Sequence, residues 1–96
     1  MSTFCFFNIR KIYDEQAMET YRSRVLETVN QYQGKYVVIG GPYELKEGNW
    51  LPSYPVMIEF PTKELANAWY HSKDYDPLKQ LRITSVEADA VFFQGL

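Results

Sequence analysis

The chain contains one cysteine, Cys5, and one histidine, His71. The lone cysteine excludes an internal disulfide and points to a reducing, cytoplasmic setting. The lone histidine lies far from Cys5 and from any paired acidic spacing, so no metal site and no other cofactor are expected. Basic residues are also short: ten Lys and Arg against twelve Asp and Glu give a net charge of −2. They are scattered singly among acids, and without a basic patch nucleic acid is not an expected partner. No apolar run approaches the roughly 20 residues of a membrane span, so no membrane partner is expected either. The opening MSTFCFFNIRK lacks the charged start and small-residue cleavage site of a secretory signal. Motifs CxxC, HExxH and G-x-S-x-G are missing. Gly40-Gly41-Pro42 reads as a turn rather than a phosphate loop, because no Lys-Ser/Thr and helix start follow it.

What the chain does have is aromatic area: 17% of its residues, eight of them tyrosine. Tyrosine joins an apolar ring to a hydroxyl, which suits interfaces and polar-edged pockets. The length of 96 residues leaves room for one core, so residues 1–96 read as a single domain.

Thr3–Arg10 and Lys35–Ile39 are rich in aromatic and β-branched residues and read as strands. Between them, Asp14 is a plausible N-cap, and Met18, Tyr21, Val25, Val29 and Tyr32 fall on one helical stripe. Gly34 then serves as the residue that ends the helix. Tyr43–Lys46 reads as a short strand extension before the turn at Gly48-Asn49. A third strand, Tyr54–Phe60, is stopped by Pro61. Thr62 caps a helix to about His71, and Asp76-Pro77, as N-cap and first-turn proline, opens a short helix to about Thr84. Ala88–Gln94 is the last strand. The order β-α-β-β-α-β predicts an α+β, ferredoxin-like antiparallel sheet with its helices on one face.

Alternation along these strands leaves both faces apolar. Phe4 and Phe6 oppose Cys5, Phe7 and Ile9; Tyr36 and Val38 oppose Val37 and Ile39; Ala90 and Phe92 oppose Val91 and Phe93. Two helices cover one face, and a bare second face would exceed the few hundred Å² a monomer tolerates. A second copy stacked sheet on sheet, burying on the order of 1,600 Å² or more, is the expected solution.

Five residues stand out as candidates for chemistry. Glu59 is the one acid in the third strand, on the face of Met57, where it would enter the space between two sheets and act as acid or base, or else meet solvent or Lys63. Arg82 borders the stripe of Leu78 and Leu81, from which its fork could hold an anionic group, or pair internally with Glu59 or Asp74. His71, beside Glu64 and Asn67, is a general base if it faces a cleft and a helix-end surface residue if not. Tyr75, with Trp69 and Tyr70, and Trp50, in a loop, are candidates to line a pocket.

Taken together, Gly40-Gly41, Glu47-Gly48-x-Trp50-x-Pro52, Ile58-Glu59-Phe60-Pro61, Ala68-Trp69-Tyr70-x-Ser72-x-x-Tyr75 and Arg82 give the chain a family likeness. It resembles the small bacterial proteins grouped as domain of unknown function 1330, in the dimeric α/β-barrel superfamily. The resemblance implies a ferredoxin-like protomer that dimerises through its sheet, and no settled activity. Where that family often has arginine, this chain has Ile39 and Tyr54-Pro55, so Arg82 is the remaining candidate for an anion. The leading expectation is a cytoplasmic homodimer that binds a small anionic or aromatic organic molecule between sheet and helices, through Arg82 with Glu59 and Tyr75 nearby. Two alternatives remain open: a cofactor-independent enzyme of monooxygenase or isomerase type using Glu59 or His71, and an interaction module without a pocket.

Overall fold

Side-chain alternation in the first strand is the organising feature of the computed structural model, which describes residues 1–96. Along β1 (Thr3–Ile12), Cys5 and Phe7 are buried while Phe4 and Phe6 are half covered. The other elements follow as α1 (Glu15–Gln31), β2 (Lys35–Ile39), β3 (Pro55–Phe60), α2 (Lys63–Tyr70), α3 (Asp76–Ser85) and β4 (Val86–Gln94). The sheet order is β2-β3-β1-β4, antiparallel throughout, so β1 and β3 are central. Cys5 sits between Ile58 and Phe92, and Phe7 between Val56 and Ala90. This is the expected ferredoxin-like α+β arrangement. The core gathers Cys5, Phe7, Ile58 and Phe60 from the sheet against Met18, Tyr21, Val25 and Val29 of α1. Each such side chain contributes about 1.5–3 kcal/mol when fully buried. No helix is long and apolar enough to cross a membrane.

The caps explain where the helices begin and end. Asp14 Oδ1 accepts from the Ala17 amide at 3.0 Å, and Thr62 Oγ1 from that of Leu65 at 3.1 Å. At the end of α1, the amides of Gln33 and Gly34 donate to the carbonyls of Asn30 and Val29, at 3.1 and 3.0 Å. That pair of bonds is a Schellman motif whose left-handed residue is Gln33, at φ 65°, not the expected Gly34. Glycine is required at 34 for another reason: a Cβ there would lie 2.5 Å from the Phe60 ring and 2.7 Å from Val29. Asp76 also differs from expectation. It is the first residue of α3 rather than its cap, and Ser72 Oγ instead accepts the Tyr75 amide at 3.1 Å.

Two β-bulges change which side chains face the helices. In β2, Tyr36 pairs with Ile58 but Val38 pairs with Met57, leaving Val37 as the extra residue. The slip carries Ile39 to the helix side, opposite Val56, and Val38 to the outer side, reversing the simple alternation expected for both. A second bulge at Arg10 returns Ile12 to the inner face opposite Val86. Tyr43–Lys46 forms no strand; residues 40–54 are irregular. Gly40, at φ 78°, lets the Tyr54 ring come within 2.8 Å of where a Cβ would stand. On the outer face, Val91 and Phe93 are 44% and 52% exposed, beside half-covered Phe4, Phe6 and Met57.

Candidate functional site

Leu78 and Arg82 lie one turn apart on the same face of α3, so the stripe that buries the leucine also carries the arginine inward. Arg82 is only 6% exposed. Its guanidinium lies over the Phe7 ring, 5.1 Å from the centroid, and its Nε donates to the Tyr75 hydroxyl at 3.4 Å. Tyr75 is fully buried and is stacked on Trp69 at 4.1 Å between ring centroids. Its hydroxyl shares a 2.8 Å hydrogen bond with that of Tyr21. Trp69 is fixed in turn by donation from Nε1 to Thr28 Oγ1 at 3.0 Å. The arginine is therefore held by a rigid aromatic platform, as a pre-organised site requires.

No carboxylate reaches this guanidinium. The ion pairs of the molecule join Arg10 to Glu87 and Asp89, Arg22 to Glu15, Lys35 to Glu59 and Lys46 to Glu44. The expected internal partners, Glu59 and Asp74, are both absent from Arg82, and the terminal nitrogens of its fork make no hydrogen bond within the protein. Arg82 lines a cleft of about 180 Å³ between the sheet, α1 and α3. Its walls are apolar, formed chiefly by Phe7, Met18, Val25, Val56 and Ile58, with the rings of Tyr21 and Tyr36 and the bulge-displaced Ile39 completing them. Arg22 stands at the edge, tied to Glu15 at 2.6 Å. A wider groove of about 470 Å³ adjoins the cleft through Ile9 and Arg22, but its Arg10 is already paired.

Of the candidates read from sequence, Arg82 and Tyr75 come together and the other three do not. Glu59 is on the opposite face of the sheet from Arg82, registered against Phe4, where Ser2 Oγ donates to it at 2.6 Å. Its cation is Lys35 at 3.8 Å rather than Lys63. The period of two explains this separation: Glu59 lies between Ile58 and Phe60, both of which face the helices. His71 caps the end of α2, exposed, with its ring edge-on to Tyr70 at 5.3 Å, and does not line the cleft. Trp50 is 64% exposed in the 40–54 segment and is also outside the cleft. Tyr21 and Tyr36, which do line it, were read only as core and strand residues. Their signal was a hydroxyl on an apolar stripe.

Burial raises the ionisation of Tyr21, Tyr36 and Tyr75 above the ordinary phenol value, with the neighbouring Arg82 working in the opposite direction. At Arg82 itself, burial works against the charge and the phenols of Tyr75, Tyr21 and Tyr70 work for it, as counter-charges only in the alkaline range where they ionise. The guanidinium stays charged, and at neutral pH these neighbours offer it dipoles rather than a counter-ion. Cys5, on the inner face of β1, is pushed up to about 12 by burial, so it is an inert thiol rather than a nucleophile.

The family described as Domain of unknown function (DUF1330) matches the chain over residues 2–96. No curated protein matches it. Among solved structures, a protein of unknown function from Rhodopseudomonas palustris superposes with a TM-score of 0.76 at 12% identity, covering 99% of this chain and 82% of that one. A dimeric ferredoxin-like protein of unknown function from Jannaschia sp. CCS1 gives 0.70 at 11% identity, covering 99% and 100%. SnoaB, a cofactor-independent oxygenase from Streptomyces nogalater, gives 0.62 at 10% identity, covering 99% and 91%. At these identities the likeness is one of fold, and that fold is ferredoxin-like.

The buried thiol and phenols set an alkaline limit on stability. Folding favours their neutral forms, so their contribution is complete below the unfolded ionisations, 9.0 for Cys5 and 10.0 for the tyrosines. It is lost as pH rises toward the higher folded values. Denaturant midpoints should be steady at neutral pH and fall from about pH 9 upward. A midpoint unchanged through pH 11 would contradict the burial assigned to these groups.

Proposed function

Because the chain belongs to the DUF1330 family, which carries no assigned activity, we propose its function from the cleft: a homodimeric protein that binds a small organic anion, with the anionic group on Arg82. The observation that carries this reading is a buried arginine, its residue only 6% exposed, among apolar walls with no acid beside it. Desolvating an ion costs several kcal/mol unless a partner offsets it. The face of Phe7 returns about 0.5–2 kcal/mol, and the long 3.4 Å bond that Arg82 Nε donates to the Tyr75 hydroxyl about 1.5 kcal/mol. A bound anion supplies the missing compensation, through two parallel charge-assisted bonds from the free end of the fork. Tyr75 serves as the positioning residue for Arg82.

The homodimer is supported by the outer sheet face, where Phe4, Phe6, Met57, Val91 and Phe93 form a continuous apolar surface no helix covers. The description of the Jannaschia relative as dimeric points the same way. The enzymatic alternative has less support, since neither Glu59 nor His71 lines the cleft. The alternative of a module without a pocket is disfavoured by the cleft itself.

Thermal melts against small carboxylates test the binding reading. At a hundredfold excess over Kd, a ligand specific for the folded state adds about 2.7 kcal/mol, raising Tm by about 10 °C or more. The Arg82→Met variant should melt cooperatively and show no such rise; equal shifts in both proteins would remove Arg82 from the site. For the dimer, sedimentation should find twice the 11.3 kDa chain mass. Val91→Asp, which places a charge in the paired face, should halve it. A wild-type particle of 11.3 kDa at micromolar concentration would end that part of the reading.

A further inference from the structure

Three properties of the cleft narrow the anion further, if the binding reading holds: its size, its one uncompensated charge and one idle hydroxyl. The volume of about 180 Å³ is close to the roughly 150 Å³ of an apolar cavity known to take benzene. A single six-membered ring or a short branched chain fits such a space; a long acyl chain or a fused ring system does not.

Charge matching sets the second limit. Arg82 is the cation in the cleft without an acid, and Arg22 at its edge is engaged by Glu15 at 2.6 Å. A monoanion is neutralised by the free fork. A dicarboxylate or a phosphate monoester would bring a second negative charge into apolar walls, where an unpaired ion is strongly disfavoured.

The hydroxyl of Tyr36 provides the third. The ring lines the cleft from β2, opposite α1, and its hydroxyl makes no hydrogen bond within the protein. The Tyr21 hydroxyl, by contrast, is already shared with Tyr75 at 2.8 Å. A neutral phenol facing the same space as a guanidinium can donate to an oxygen of the bound anion, which Tyr21 cannot do without giving up its present bond.

We infer that the cleft is selective for a small apolar monocarboxylate, one aromatic ring or a branched aliphatic body of that size, and that Tyr36 is a specificity-determining residue beside Arg82. The ligand lies with its carboxylate on Arg82 and Tyr36 and its body against Met18, Val25 and Val56.

Calorimetric titration of the full chain with benzoate, benzamide, phthalate, phenyl phosphate and decanoate tests this. Benzoate should bind, and each of the other four should bind at least about 10-fold more weakly: benzamide for the charge-assisted bond it cannot make, phthalate and phenyl phosphate for the second charge they bring into apolar walls, and decanoate for its length. Tyr36→Phe should weaken benzoate by roughly 2- to 10-fold, and weaken the neutral amide less, because its carbonyl accepts only an uncharged bond. Arg82→Lys, which keeps the charge but loses the fork, should weaken benzoate less than Arg82→Met does. Phthalate, phenyl phosphate or decanoate binding as tightly as benzoate, and still requiring Arg82, would overturn the selectivity and leave the anion site standing. Benzoate affinity unchanged by Tyr36→Phe would overturn the role of Tyr36. If no probe binds at millimolar concentration to the wild-type protein, the anion site itself falls.

Discussion

A charged guanidinium enclosed by aromatic rings with no acid in reach is the constraint on which the candidate site depends. Water would solvate that charge; Phe7, Tyr75 and the cleft walls do so only in part. Such a group persists in a fold when the surrounding packing over-determines its place. Here that packing is a chain of contacts from Thr28 through Trp69 and Tyr75 to Arg82, each link a stacked ring or a hydrogen bond. Because Trp69 and Tyr75 are also core residues, the site shares its support with the fold, and damage to one damages the other.

The two sides of the sheet carry separate tasks. Toward the helices, β1 and β3 supply Phe7, Val56 and Ile58 as cleft walls, and the β2 bulge turns Ile39 inward to the same space. Away from them, the alternate residues Phe4, Phe6 and Met57 form the face proposed to pair with a second copy. A one-residue slip in any strand would exchange these sets, so the register ties the proposed assembly to the proposed binding site. The ferredoxin-like frame accommodates both without an added element.

Most of the fold could be read from patterns local to each segment. The helical stripe of α1, the caps Asp14 and Thr62, and the stop at Pro61 each announce themselves within a few residues. What escaped were features decided by distant partners. The bulge at Val37 is a matter of pairing between strands, invisible in KYVVI alone. Gly34 proved necessary because Phe60, 26 positions on, packs where its side chain would be. In the site, Arg82 and Tyr75 were legible because they lie seven residues, about two helical turns, apart on one side of α3 and its cap, whereas Glu59 was grouped with them by chemistry and separated by the pleat. Tyr36 and Tyr21 were missed because an apolar stripe hides the direction in which a hydroxyl points.

The most direct measurement is the denaturant stability of ligand-free protein with Met in place of Arg82, compared with the native sequence. Replacing an uncompensated buried ion by an apolar side chain of similar length should leave stability unchanged or raise it, by up to about 1–4 kcal/mol on the behaviour of buried charges. A loss of about 3 kcal/mol or more would mean that the guanidinium is satisfied by the protein alone, and the account of a site waiting for an anion would be wrong.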